Sequence, residues 1–251
     1  MPPNPRARRE HEALFPGHVS TLAASDPELI EIFDNFAFDE VLRESRLDRR
    51  TRLMAQLAAL IACQALAEWR ILLDAALGAG VAPVEAREIV YQAVPYVGMA
   101  KVFDFLHAAN EAFAARGIAL PLPAQAATDA GTREAKGRAV QAAIIGEAAV
   151  ERRYANAPAD ALHIERLLSA NCFGDHLARG GIALDVRELL TFSMLVALGG
   201  CDAQVKAHVA ANLRLGNDRR RLIDVLTQLL PFIGYPRTLN GLAAVNEAAP
   251  V

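Results

Sequence analysis

Gln228-Leu229-Leu230-Pro231-Phe232-Ile233-Gly234-Tyr235-Pro236 has an earlier counterpart in Gln92-Ala93-Val94-Pro95-Tyr96-Val97-Gly98-Met99-Ala100. The offset that sets Gln228 on Gln92 also aligns, without a gap, Asn35 with Asn171, Asp39 with Asp175, Leu53 with Leu189 and Gly80 with Gly216. It aligns Asn110-Glu111-Ala112 with Asn246-Glu247-Ala248 as well. A repeat of this length reads as two copies of one folding unit, each large enough for a core that its twin helps to cover. Apolar residues recur at helical spacing, as in Leu189, Phe192, Leu195 and Val196, and again in Leu222, Val225, Leu226 and Leu229. Strand signals are scarce: Val94, Tyr96 and Val97 surround a proline and have no alternating partner. The expected fold class is all-α, built from two tandem helical repeats.

Composition narrows the function. Hydrophobic residues make up 53% of the chain and aromatics only 6%, a mix that suits helices packed closely through small residues. The net charge of −3 supplies no basic field, so no nucleic-acid partner is expected. Arg6-Ala7-Arg8-Arg9 and Arg219-Arg220-Arg221 are too short to change that and read as a solvated tail and a solvated helix end. The richest apolar run, Leu53 to Leu66, is too short to span a bilayer and contains Gln56 and Gln64, so no membrane partner is expected. The amino terminus has early prolines and no apolar core segment, so no secretory signal is expected. Three cysteines, at 63, 172 and 201, form neither a disulfide framework nor a zinc pattern, and a cytoplasmic location follows as the default.

Turn residues mark the units. Asp26-Pro27 starts a helix; Asp185 precedes one that begins near Arg187-Glu188. Pro95 and Pro231, each followed three residues on by Gly98 or Gly234, predict a break at the same place in both halves. Gly117 to Gly131, with Pro121 and Pro123, reads as a linker. The expected organisation is a first repeat over 1–116, a linker over 117–131 and a second repeat over 132–251, with a helix from about Arg133 to Asn156 interrupted near Gly146.

Only the second copy carries reactive residues. Glu188, Cys201, Gln204 and His208 stand where the first copy has Arg52, Ala65, Glu68 and Leu72. Gly199-Gly200 can close one helix and open the next. Cys201 then falls in a first turn, where free amides and the helix dipole favour a thiolate. Residues 201, 204 and 208 share one helical face, but seven residues of helix span about 10 Å, so the thiol and imidazole of one straight helix need a bridge. If the glycine turn reverses the chain, Glu188 runs beside His208. A carboxylate on an imidazole with a thiol upstream can move protons. Cys63 and Cys172 read as core residues, and His176 is a weaker candidate for the pocket. No metal site is expected, because the ligand count falls short, and no cofactor is implied: phosphate loops and a serine-hydrolase elbow are missing.

Arg187-Glu188-Leu189-Leu190, Gly199-Gly200-Cys201, His208, Gly216-Asn217 and Pro231-Phe232-Ile233-Gly234-Tyr235-Pro236 together resemble the carboxymuconolactone decarboxylase family, which includes the alkyl hydroperoxidase D-like proteins. The resemblance covers nearly all of 133–248, and a degenerate copy covers about 25–115. It implies an all-helical unit that assembles into trimers or hexamers, so that three tandem chains make a pseudo-hexameric homotrimer. In the hydroperoxidase branch it implies a proton relay of Glu188, Cys201 and His208, but Gln204 replaces the second cysteine of that branch's pair. An internal disulfide cycle cannot run through that motif.

The leading expectation is an enzyme that acts on a small carboxylated lactone or related ring compound by acid–base chemistry. His208 transfers the proton, Glu188 orients it, Cys201 lines the pocket, and Gln204 and His176 contact substrate. The alternatives are a single-cysteine hydroperoxide reductase that draws on an external thiol, and a non-catalytic assembly module.

Overall fold

The computed structural model describes residues 3–250; Met1 and Pro2 of the amino-terminal stretch, and Val251, lie outside the described residues. Among the described residues every regular element is helical. The first half comprises α1 (Pro5–Leu14), α2 (Pro27–Asn35), α3 (Arg49–Ala62), α4 (Leu66–Gly78), α5 (Pro83–Val97) and α6 (Met99–Ala115). After the segment of cis Leu120–Pro121 come α7 (Arg133–Ile145), α8 (Glu147–Asn156), α9 (Leu162–Leu167), α10 (Leu184–Leu198), α11 (Asp202–Arg214) and α12 (Arg219–Ala248). Each half also holds a π-helical segment at the equivalent place, Phe36–Glu40 after α2 and Leu168–Leu177 after α9.

The centre of the molecule is α3 packed against α10, the equivalent helices of the two halves. In α10 every residue from Arg187 to Ala197 is buried, and α3 is buried from Leu53 to Ala62. A helix covered on all sides belongs to a shared core, and here that core is continuous between the repeats. The caps are partly as the sequence implies. Asp48 accepts the Thr51 amide at 2.9 Å to start α3. Asp185 does not cap α10. The helix starts earlier, at Leu184, which puts Asp185 inside the first turn, where its charge faces the positive end of the dipole.

The expected breaks occur, and glycine makes them. Helix α5 runs through Pro95 and stops at Gly98 (φ 86°, ψ 147°); α12 runs through Pro231 and turns at Gly234 (φ 76°, ψ 169°). A side chain strongly disfavours that backbone conformation. Pro95 has no N–H for the carbonyl of Tyr91, four residues back, and the His176 ring lies near that carbonyl.

Helix α7 holds the second π-helical segment by direct backbone contact. A Cβ at Gly137 would lie 1.9 Å from the Ser169 carbonyl oxygen, and one at Gly174 would lie 2.2 Å from that of Arg133. Two glycines thus fix the segment that carries Cys172 and His176. Among the described residues no helix is long and apolar enough to cross a membrane.

Candidate active site

Gly199 and Gly200, both at positive φ (71° and 69°), reverse the chain between α10 and α11. The reversal lays Glu188 beside His208, and the Glu188 carboxylate meets His208 Nδ1 through its Oε1. The pair is sheltered: the Glu188 side chain is 1% exposed and that of His208 16%. Glu188 Oε2 is buried without a partner, and His208 Nε2 makes no hydrogen bond to the described residues. One carboxylate oxygen and one ring nitrogen are thus without a partner among the described residues, the oxygen fully buried.

Two asparagines lock this register. Asn212 Nδ2 donates to the carbonyls of Glu188 (3.1 Å) and His208 (2.8 Å), tying α11 to α10 at the pair itself. Asn217 Nδ2 donates to the Asp185 carbonyl and to Asn212 Oδ1, both at 2.8 Å. Both residues are buried, where such bonds hold geometry most firmly.

The first half reaches into the same place. The Tyr96 ring stands edge-on to His208, with centroids 6.2 Å apart. Thr191 Oγ1 donates to Tyr96 Oη at 3.1 Å and accepts from Gln92 Nε2 at 3.0 Å. Gln92 Nε2 also donates to the Arg187 carbonyl at 2.7 Å, and Arg187 Nη1 returns a bond to Gln92 Oε1 at 3.1 Å. Behind them Glu88 accepts from Arg187 and Arg179 at 2.9 Å each. Burial raises the Tyr96 hydroxyl well above its usual range, with Cys172 and the Glu188 charge adding to it.

The thiols behave differently from expectation. Cys201 is the residue before α11, and its side chain caps nothing. Its Sγ donates to the Leu195 carbonyl at 3.3 Å. Burial, then the neighbouring Asp202 carboxylate, pushes the thiol up, so the expected thiolate at a helix start is corrected: Asp202 occupies the first turn instead. The Cys201 thiol is thus engaged with backbone on α10. Cys172, read as core, is indeed buried, but it also meets Tyr96, and burial pushes its thiol up to about 12. Cys63 lies on the Ala197 carbonyl (3.7 Å) and accepts from Arg237 (3.5 Å). All three are free thiols.

The remaining candidates lie apart. Gln204 is exposed on α11. His176 is brought to Tyr91, Asp175, Arg179 and Glu88; burial lowers its pKa, and its Nδ1 has no partner among the described residues. Among the described residues no group of three or more His, Cys, Asp or Glu side chains is placed to hold a metal. Sequence reasoning passed over Tyr96, Gln92, Thr191, Asn212 and Asn217. One signal was available: Tyr96 carries a hydroxyl where its repeat partner Phe232 has none.

No curated protein matches the chain. The carboxymuconolactone decarboxylase family matches twice, over residues 27–111 and 163–247. The two matches stand at the offset of the internal repeat, and together they cover more than half of the sequence. The chain belongs to the carboxymuconolactone decarboxylase family.

Proposed function

We propose that the protein is a lyase that decarboxylates a small carboxylated lactone, or a related ring compound, at the Glu188–His208 pair. The observation that carries this reading is the carboxylate on Nδ1, which leaves Nε2 of a sheltered imidazole open to a substrate. When the substrate loses CO₂, the electron pair of the broken C–C bond passes into the ring and is held as an enolate of the lactone carbonyl. His208 Nε2 delivers a proton to the resulting carbon and is reprotonated from solvent. Glu188 is the positioning residue that fixes the ring through Nδ1. Cys201 enters this reading as a neutral thiol, and Gln204, exposed one turn before His208, as a residue of the approach.

The raised Cys201 thiol and its bond to Leu195 favour this chemistry over thiol-dependent peroxide reduction, which needs a thiolate. Turnover followed by lactone loss and CO₂ release tests the reading. His208→Ala should lower it by about 10²–10⁴-fold. Unchanged turnover, or stoichiometric peroxide oxidising Cys201 ahead of Cys63 and Cys172, would reject the assignment.

We also propose a homotrimer, supported by exposed Leu29, Ile32, Tyr235 and Leu239. Light scattering should give three times the chain mass of 27.0 kDa, and a particle of a single chain's mass would exclude it.

A further inference from the structure

The first repeat has a cavity of its own where the second has its catalytic pair. Arg52 stands at the repeat position of Glu188, in the first turn of α3. It lines a cavity of about 190 Å³ with Arg6, Arg49, Glu10, Ser45 and Gln228, and Leu42 and Leu47 add apolar lining. The space is worth about six waters, too small for a drug-sized molecule but enough for a few heavy atoms.

Charge in this cavity does not balance. Arg6 has Asp39 at 3.4 Å, and Arg49 has Glu10 at 3.7 Å. Among the described residues Arg52 has no carboxylate within ion-pair distance, and its Nε is buried without a partner. Burial, then the like charge of Arg49, pulls the Arg52 guanidinium down to about 10. Glu10 opposes that pull, but it is already paired with Arg49. The start of α3 adds positive potential of its own.

A second lining residue also holds an unsatisfied polar atom. Gln228 is 1% exposed, and its Oε1 has no partner among the described residues. Its repeat equivalent, Gln92, has that oxygen filled by Arg187. The equivalent of Arg187 in the first half is Thr51, which is too short to do the same, while Gln228 Nε2 is occupied by the Val41 carbonyl at 2.7 Å. Two residues that line the cavity thus each hold an orphaned polar atom, one a cationic donor and one a neutral acceptor, beside two leucines.

We propose that this cavity is a second ligand site, which takes a small monoanionic hydroxycarboxylate. The carboxylate pairs with Arg52, the hydroxyl donates to Gln228 Oε1, and the carbon skeleton rests on Leu42 and Leu47. The site does not depend on the reaction at Glu188–His208.

Calorimetric titration of the full chain with sodium lactate tests it, with propionate and inorganic phosphate as comparisons. Lactate should saturate, propionate should bind about five-fold more weakly for want of the hydroxyl, and Arg52→Gln should weaken lactate by about 10–100-fold. Lactone turnover should be unchanged in Arg52→Gln, which separates this cavity from the catalytic one. Lactate affinity equal in wild type and Arg52→Gln would overturn the proposal, as would phosphate binding in place of lactate. If Arg52→Gln does not fold, lactate and propionate binding the wild type equally would overturn it too.

Discussion

Replacing Glu88 by glutamine should strike both the stability of the molecule and the placement of its site. Glu88, on α5 of the first half, is the carboxylate for two arginines of the second half. Arg179 Nε lies 3.0 Å from each of its oxygens and Nη2 lies 2.9 Å from one of them, while Arg187 Nη2 lies 2.9 Å from the other. Glu88 and Arg187 are each 1% exposed. Burial pulls the Arg187 guanidinium down, and Glu88 opposes that pull. Glutamine keeps the shape but removes the charge, so a fully buried cation loses its counter-charge. Breaking such a pair costs about 3–5 kcal/mol. At about 2–4 °C per kcal/mol for a chain of this size, the melting temperature should fall by about 6–20 °C. Urea denaturation and calorimetry read this directly. Arg187→Met, alone and combined with Glu88→Gln, completes a cycle. The double variant should lose less than the two single losses together, by about 1 kcal/mol or more, because the second change removes the stranded cation. A loss below about 1 kcal/mol for Glu88→Gln, or strict additivity in the cycle, would refute the claim that this carboxylate joins the halves.

Tyr96→Phe should cost about 1–3 kcal/mol in urea denaturation, because it strips the acceptor from the wholly buried Thr191 hydroxyl; unaltered stability would mean the bond contributes nothing. Cys172 should make the protein lose stability in alkali: its folded thiol sits at about 12 and its unfolded thiol near the ordinary 9.0, so the stabilisation is complete below pH 9 and is lost as pH climbs toward 12, up to about 4 kcal/mol. Subtracting the stability–pH curve of Cys172→Ala from that of the wild type isolates this slope, and parallel curves between pH 9 and 11 would contradict it.

Which parts of the site the sequence disclosed follows from the range of the interactions. Glu188, Gly199-Gly200 and His208 are joined by one tight turn, so their meeting needs only the helical period and a reversal at positive φ. The register of the two repeats was equally legible, because an ungapped offset survives any reading of local structure. The contribution of Tyr96 and Gln92 was hidden, since both belong to the other repeat, far from His208 along the chain, and no local pattern announces that α5 crosses α10. The thiol was misread for a different reason. A helix start favours a thiolate only when the sulfur faces the free amides, and the backbone at Cys201 (φ −133°, ψ 43°) accompanies a thiol turned to Leu195 instead.

The packing of α5 on α10 also ties the half without the Glu188–His208 pair to the half that has it. Each half lends its proline-bearing helix to the other: Gln92 bonds to Arg187 and Thr191 on α10, while the Gln228 carbonyl accepts from Gln56 on α3 at 3.1 Å. The Glu188–His208 site is therefore walled by Tyr96 of the first half. The mirror position draws its wall from the second half, where Phe232 stands in place of Tyr96 and packs edge-on to Phe33 at 6.0 Å. Arg52, Leu72 and Phe232 between them leave the mirror site with no carboxylate, imidazole or phenol at those positions, yet Glu88, Gln92 and Tyr96 of the first half remain tied to the Glu188–His208 half. Removing the first repeat would take away the partner of Arg187 and one wall of the imidazole, so a fragment holding Glu188, Cys201 and His208 alone has the residues of the site without the helix that shelters them.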